Sequence, residues 1–211
     1  MAVRYVLAGV LLLAGLGAFG AQAQSLPKIE EFYFDSDSAA APLVAIQGEG
    51  DGLVDQLMKQ RERGRKAIEA TSQLASLAVA QGRGDLGRTL HQEAIAAGPA
   101  STVVGRAARW NYAWDLYRLG EPEAALEQWK MVQASMRGNP GWVPPTYALA
   151  LWTLGRKAEA VQWYAAAVRT EPQLWRNADN YPQLLPTWRE QDRAALAEVL
   201  QAWSADPPAW P

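Results

Sequence analysis

Residues 154–172, LGRKAEAVQWYAAAVRTEP, carry the pattern that decides the fold of this chain. Gly155 is followed by a small residue (Ala160), an aromatic residue (Tyr164), a second small residue (Ala167) and then Pro172. Spacings of four and three residues place the two alanines and the ring on one face of a helix. Small residues let two helices approach closely, and a large ring fills the space where their axes diverge. The stretch therefore predicts one helix of a tightly packed helical pair.

The same pattern occurs twice more upstream, behind two further glycines. Gly82, Gly120 and Gly155 lie 38 and then 35 residues apart, where we expect a helix to end in the left-handed conformation. The small and large positions behind the two earlier glycines are Gly87 with His91, and Ala125 with Trp129. A second helical pattern precedes each glycine: Leu74-Ala75-x-x-Ala78, Tyr112-Ala113-x-x-Leu116 and Tyr147-Ala148-x-x-Leu151.

These motifs resemble the tetratricopeptide repeat family, which has large-small-x-x-large in its first helix and small-x-x-x-aromatic in its second. The resemblance covers residues 67–172. It implies an all-α fold, a short α-solenoid of about three helical hairpins, in which the first helices line a concave groove. Helical patterns before and after the repeats predict an N-terminal helix at 53–63 and a C-terminal capping helix, with Thr187 and Glu190 forming a capping box.

The chain divides into four segments by composition. Residues 1–23 have a basic start at Arg4, an apolar run and a small-x-small end, which predicts a cleavable signal peptide cut after Ala23. The apolar run is shorter than the ~20 residues of a membrane-spanning helix, so we expect a periplasmic or secreted protein without membrane insertion after signal removal. Residues 24–52 predict an extended or disordered leader, 53–203 the helical domain, and 204–211 a tail rich in proline and tryptophan.

The composition argues against several classes of function. The chain has 20 basic and 22 acidic residues, a formal charge of -2, which does not favour a nucleic-acid partner. It has no cysteine and one histidine, so the common zinc sites and nucleophile–base pairs cannot be assembled. His91 takes the aromatic position of its repeat and is predicted to pack inside the hairpin. We therefore expect no enzyme, no catalytic residue, no metal site and no cofactor.

The tryptophans indicate the candidate site. All ten lie at or beyond position 110, and Trp110, Trp114 and Tyr117 form a helical stripe rotated away from the residues that pack the hairpin. The resemblance implies that this stripe faces the groove and that the middle-repeat asparagine, Asn111, holds a peptide backbone; Gln73 and Thr146 replace it in the flanking repeats. The predicted partner-binding groove comprises Trp110, Asn111, Trp114, Tyr117, Arg118, Thr146, Leu149 and Trp152.

Three interpretations of the aromatic stripe remain open from the sequence. The leader or the C-terminal tail covers the rings and makes them an intramolecular core. Alternatively, the groove binds a protein or peptide partner in the cell envelope, because Trp, Tyr and Arg dominate recognition surfaces. As a third possibility, the rings stack on sugars, which would make the protein a glycan- or cell-wall-binding module. The resemblance itself implies a non-catalytic scaffold or adaptor.

Overall fold

The structure is a computed structural model that describes residues 25–29 and 34–209. The described part of the chain is helical apart from two strands of two residues each, which confirms the predicted all-α class. The predicted signal peptide at 1–23 lies outside the described residues. The helices are α1 (Asp51–Arg63), α2 (Ala67–Ala80), α3 (Gly84–Ala97), α4 (Val103–Arg118), α5 (Pro122–Ala134), α6 (Val143–Thr153), α7 (Lys157–Thr170), α8 (Pro172–Trp175), α9 (Tyr181–Leu184) and α10 (Glu190–Ala205).

Three of the turns between helices have the same construction. The turns join α2 to α3, α4 to α5 and α6 to α7, and they contain Gly82, Gly120 and Gly155 with φ of 76°, 82° and 74°. In each, the N–H that follows the glycine donates to a carbonyl five residues earlier, as Glu121 does to Leu116 at 3.0 Å. This bond and the positive φ define the helix ending that glycine favours. The predicted left-handed glycines are confirmed.

The small and large positions of these helix pairs are buried as expected. Ala125 and Trp129 of α5, and Ala160 and Tyr164 of α7, have no solvent-exposed surface. The first pair carries Gly87 at the small position because α2 and α3 approach more closely than an alanine would permit. A Cβ at Gly87 would lie 2.4 Å from a Val79 methyl carbon and 3.1 Å from the Ala75 carbonyl oxygen.

The helix pairs pack against one another in chain order. α1 packs on α2, α4 contacts both α2 and α3, and α5 contacts α6. α10 covers α6 and α7, as a closing helix should. Among the described residues, no helix is both long and apolar enough to cross a membrane.

The start of the closing helix differs from the prediction. α10 begins at Glu190, and its capping box joins Arg189 to Asp192, so the predicted pairing of Thr187 with Glu190 is wrong. The reason lies in the preceding turn, where the Trp188 N–H donates to the Leu185 carbonyl at 3.1 Å. This turn buries the Trp188 side chain in the core, and the helix therefore starts later. The helices extend from 51 to 205, two residues beyond each predicted end of the domain.

Two short strands fasten the leader to the helical body. β1 (Phe34–Asp35) pairs in parallel with β2 (Asn139–Pro140), which lies in the loop between α5 and α6. The sequence predicted no strand, because two residues are too few to display a period of two. Downstream of β1 the leader continues without a helix until α1 begins.

Candidate functional site

The leader is anchored to the body just after β1. The Asp37 carboxylate accepts hydrogen bonds from the Ala39 N–H at 3.0 Å and from the indole N–H of Trp142 at 3.2 Å. Arg106 of α4 lies 3.9 Å from the same carboxylate, which is almost fully buried. The leader is therefore directed across the helices that carry the predicted groove.

Asn111 of α4 holds the main chain of the leader from both sides of its amide. Its Oδ1 accepts from the Leu43 N–H at 3.2 Å, and its Nδ2 donates to the Ala41 carbonyl at 2.9 Å. The second hydrogen on Nδ2 donates to the Ala107 carbonyl of its own helix at 2.8 Å. That third bond orients the amide group, so Asn111 presents one donor and one acceptor to an extended segment.

Gln73 of α2 makes a second amide contact farther along the leader, where the chain bends at Ala45 and Ile46. Its Oε1 accepts from the N–H groups of Ala45 at 2.8 Å and Ile46 at 3.2 Å, and its Nε2 donates to the Ile46 carbonyl at 2.9 Å. Gln73 and Asn111 occupy the same register in their repeats, one residue before the large-small pair. The groove thus has a second polar contact, which the residues predicted from the sequence did not include.

The third residue in this register, Thr146 of α6, is buried and forms no hydrogen bond with the described residues of the leader. All five bonds from Asn111 and Gln73 to the leader use its main chain. The leader side chains also contribute, because Ala39 is fully buried and Ala45 and Ile46 pack against a small apolar core, whereas Pro42 is exposed and Val44 keeps 42% of its surface in contact with solvent. The two amides therefore bind the leader's main chain, while some of its apolar side chains pack on the helices.

The aromatic stripe lies within the core. The Trp114 ring packs against Trp188 at 4.9 Å, Trp129 at 5.1 Å, Trp110 at 5.8 Å and Tyr117 at 6.0 Å between centroids. Trp110 and Trp114 expose only 5% and 4% of their surface. Trp188 belongs to the segment between α9 and α10. The rings are therefore covered by that segment and the leader, whereas the sequence had named the leader or the C-terminal tail.

Other predicted groove residues have local partners. The Tyr117 hydroxyl and the Thr153 hydroxyl are hydrogen-bonded at 2.8 Å, which links α4 to α6. Leu149 is completely buried. The Trp152 indole N–H donates to Glu198 of α10 at 2.8 Å, and the Lys157 ammonium lies 3.2 Å from its ring centroid. Trp152 therefore belongs to the contact with the closing helix rather than to the surface that holds the leader.

Cavities remain beside the leader. One of about 110 Å³ is bordered by Asn111, Trp114 and Arg118 on the helical side and by Pro42 of the leader. A larger one of about 390 Å³ is bordered by Thr146 and by residues 184–188. Trp110 borders both cavities. Five of the eight predicted residues thus border one or both of these cavities next to the leader, while Tyr117, Leu149 and Trp152 border neither.

A buried polar cluster joins the first two helix pairs. His91 is fully buried, as predicted for a packing ring, and its ring lies 5.0 Å from that of Tyr112. Its Nε2 also lies 2.7 Å from the Asp115 carboxylate, which accepts from the Ser76 hydroxyl at 2.6 Å and from Arg118 at 3.0 Å. The sequence analysis missed this cluster, although a lone Asp within the apolar α4 pattern was a signal.

The cluster is built to hold a carboxylate anion. Burial would raise the pKa of Asp115, but the hydrogen bonds from His91 and Ser76 and the nearby Arg118 guanidinium outweigh burial and hold the pKa below its ordinary value. The serine and the histidine both contact Asp115, so the arrangement is not a serine–histidine nucleophile pair. Within the described part of the chain, no group of three or more potential ligands is placed to hold a metal ion.

Comparison with protein-family models, with curated proteins and with solved structures returns no match to this chain.

Proposed function

We propose that this protein is an exported, non-catalytic scaffold or adaptor of the tetratricopeptide kind, a short α-solenoid that binds an extended segment of a partner protein along α2 and α4. The three helix pairs with alternating small and large residues support the solenoid. The partner would be a protein or peptide of the cell envelope, and its main chain would lie across the amides of Gln73 and Asn111.

One observation carries this proposal: two side-chain amides in equivalent repeat positions already hold the leader's main chain, Asn111 between Ala41 and Leu43 and Gln73 at the bend formed by Ala45 and Ile46. Each presents an acceptor to backbone N–H groups and a donor to a backbone carbonyl. A side-chain amide is suited to this task because it carries both functions on one planar group. Repetition of the contact at the register shared by α2 and α4 favours a surface for segments over a single structural bond.

The geometry favours a peptide over a glycan, the second candidate. A sugar-binding ring must offer a flat open face, and Trp110 and Trp114 are buried. The ring of the half-buried Trp152 is covered by Lys157, and its N–H is bonded to Glu198. The side-chain amides of Asn111 and Gln73 bind main-chain N–H and carbonyl groups of the leader, as a peptide-binding site requires.

The binding test compares peptides with wall glycans on one preparation. Fluorescently labelled pools of envelope-protein peptides and of cell-wall fragments are titrated with the full mature chain, and anisotropy is measured. We expect peptide binding that weakens at least tenfold in Asn111→Ala and in Gln73→Ala. Gln92→Ala, the same loss of an amide on the exposed side of α3, is the matched control and should bind normally. Binding of glycans alone would replace this proposal by the second candidate.

Export is tested separately. The chain is expressed with its first 23 residues in a bacterium, and the envelope fraction is analysed by intact mass and N-terminal sequencing. We expect the protein in that fraction to begin at Gln24. A protein retained in the cytoplasm with its initial methionine would contradict the proposed location.

A further inference from the structure

We propose that leader residues 39–46 act as a built-in competitor of the partner segment, so that the groove takes an uncharged, proline-containing segment with a similar backbone path that displaces the leader. The inference rests on the proposed function and names both its ligand class and its regulation. The leader serves as a guide to the ligand, because it forms the hydrogen bonds with Asn111 and Gln73 that the partner segment would form.

The sequence of the docked segment defines the ligand chemistry. Residues 39–47 read AAAPLVAIQ and contain no charged side chain. Ala39 is fully buried, whereas Pro42 and Val44 are exposed. Pro42 favours an extended backbone where the chain passes Asn111. The chain then bends at Ala45 and Ile46, so that both N–H groups reach the Gln73 oxygen.

The leader's hold on the groove combines the hydrogen bonds of the two amides with the packing of Ala40, Ala45 and Ile46 on the helices. All of these contacts are non-covalent, so the segment can be displaced. A net hydrogen bond in water changes an equilibrium by about fivefold, and Asn111 and Gln73 together make five with the leader. Ordering the leader offsets part of that gain. A competitor with the same main-chain pattern could therefore replace it.

The connection between the leader and α1 keeps the leader close to the groove but still allows it to leave. The leader joins α1 through residues 47–50, in which Gly48 and Gly50 have φ of 145° and 74°. Because glycine has no Cβ, both residues can change their backbone dihedral angles at little steric cost when the segment leaves the groove. A short flexible tether holds its segment at an effective concentration in the millimolar range. The partner's apparent dissociation constant rises in proportion as the open fraction of the groove falls.

Substitutions in the leader alone can weaken its binding to the groove and leave the helices unchanged. Leu43→Pro removes the N–H that donates to Asn111, and Ala45→Pro removes one that donates to Gln73. Val44→Pro places the same ring between them, where the N–H donates to neither amide, and serves as the matched control. The probe is a fluorescein-labelled peptide of sequence AAAPLVAIQ, titrated into the full mature chain and followed by anisotropy.

We expect the double variant Leu43→Pro/Ala45→Pro to bind the peptide at least tenfold more tightly than the wild type or Val44→Pro. Adding Asn111→Ala to the double variant should abolish most of that gain, because the peptide then loses the amide that the leader had used. Far-ultraviolet circular dichroism should be the same for all four proteins, since residues 43–45 lie outside the helices.

The same experiment distinguishes failure of the competitor role from failure of the proposed function. Equally tight peptide binding by the wild type and the double variant would overturn the competitor role and leave the proposed function standing. Absence of binding to every variant would overturn both, because an open groove would then take no extended segment. A wild-type dimer that the double variant abolishes, measured by sedimentation, would overturn the intramolecular assignment and make the leader of a second copy the occupant.

Discussion

The N-terminal and C-terminal regions of the helical body are each stabilised by a different kind of interaction. The region from α4 to α10 has one large core in which rings pack on rings around Trp114 and Trp129. The region of α1, α2 and α3 has a small aliphatic core around Leu53, Leu57 and Leu74. Polar contacts supplement that small core: the Asp115 cluster joins it to α4, and Gln73 ties it to the leader.

This difference explains where the molecule can respond to a ligand. A large apolar core resists local opening, because its stability grows with the buried area. Contacts made by a few hydrogen bonds open at lower cost and depend on the charge of their members. The leader lies across α2 and α4, at the boundary between the two regions, and is held by such hydrogen bonds together with the packing of Ala45 and Ile46 on the small core.

The largest effect is expected in the aromatic core. Trp129→Ala should lower the free energy of unfolding by about 3–5 kcal/mol, because the ring is fully buried and its removal leaves a cavity beside Trp114. Urea unfolding followed by circular dichroism measures the loss. Trp203→Ala, at a half-buried ring on α10, is the control and should cost clearly less. Equal losses would contradict the assignment of Trp129 to the core.

A smaller effect is expected at the polar joint. Asp115→Asn should lower the free energy of unfolding by about 2 kcal/mol at neutral pH, because it weakens the hydrogen bonds from His91 and Ser76. The exposed Asp55→Asn on α1 should leave stability unchanged.

The pH dependence of this joint has a defined sign. The folded pKa of Asp115 lies below the ordinary value of 3.8, so its ionised form stabilises the fold above that pH, and the contribution disappears as the pH falls through the folded pKa. The difference between wild type and Asp115→Asn should therefore shrink in strong acid. A difference that is constant across urea titrations from neutral to strongly acidic pH would contradict the ionised carboxylate.

The smallest effect is expected at Gly87, where a substitution distinguishes the cost of close helix packing from the gain in helix propensity. Gly87→Ala should destabilise the protein by about 1 kcal/mol, because overpacking against Val79 outweighs the better helix propensity of alanine. Gly52→Ala in α1 is the matched control, since a Cβ there meets no atom within 4 Å, and it should stabilise by up to about 1 kcal/mol. Thermal melts of both variants give the comparison. Stabilisation by Gly87→Ala would show that α2 and α3 can separate freely.

Much of the local structure could be predicted from the sequence because it depends on neighbours in the chain. The three turn glycines and Pro122 at the start of α5 follow from helix-end chemistry. The predicted site was less complete. Trp110, Asn111 and Trp114 do lie together beside the leader, but Gln73 was noted only as a substitute for the asparagine, and Trp152 was placed with them instead of with α10.

The sequence alone determined that the chain forms helical pairs, where they turn, and which of their positions are small or large. These features depend on contacts three to five residues apart, which a periodic pattern records directly. Only the tertiary structure decided that the indole rings are covered, that Asp115 meets His91, and that the leader lies across Asn111. The bond from Leu43 to Asn111 joins residues 68 positions apart. No local period encodes such a contact, because it forms only when separate elements pack together.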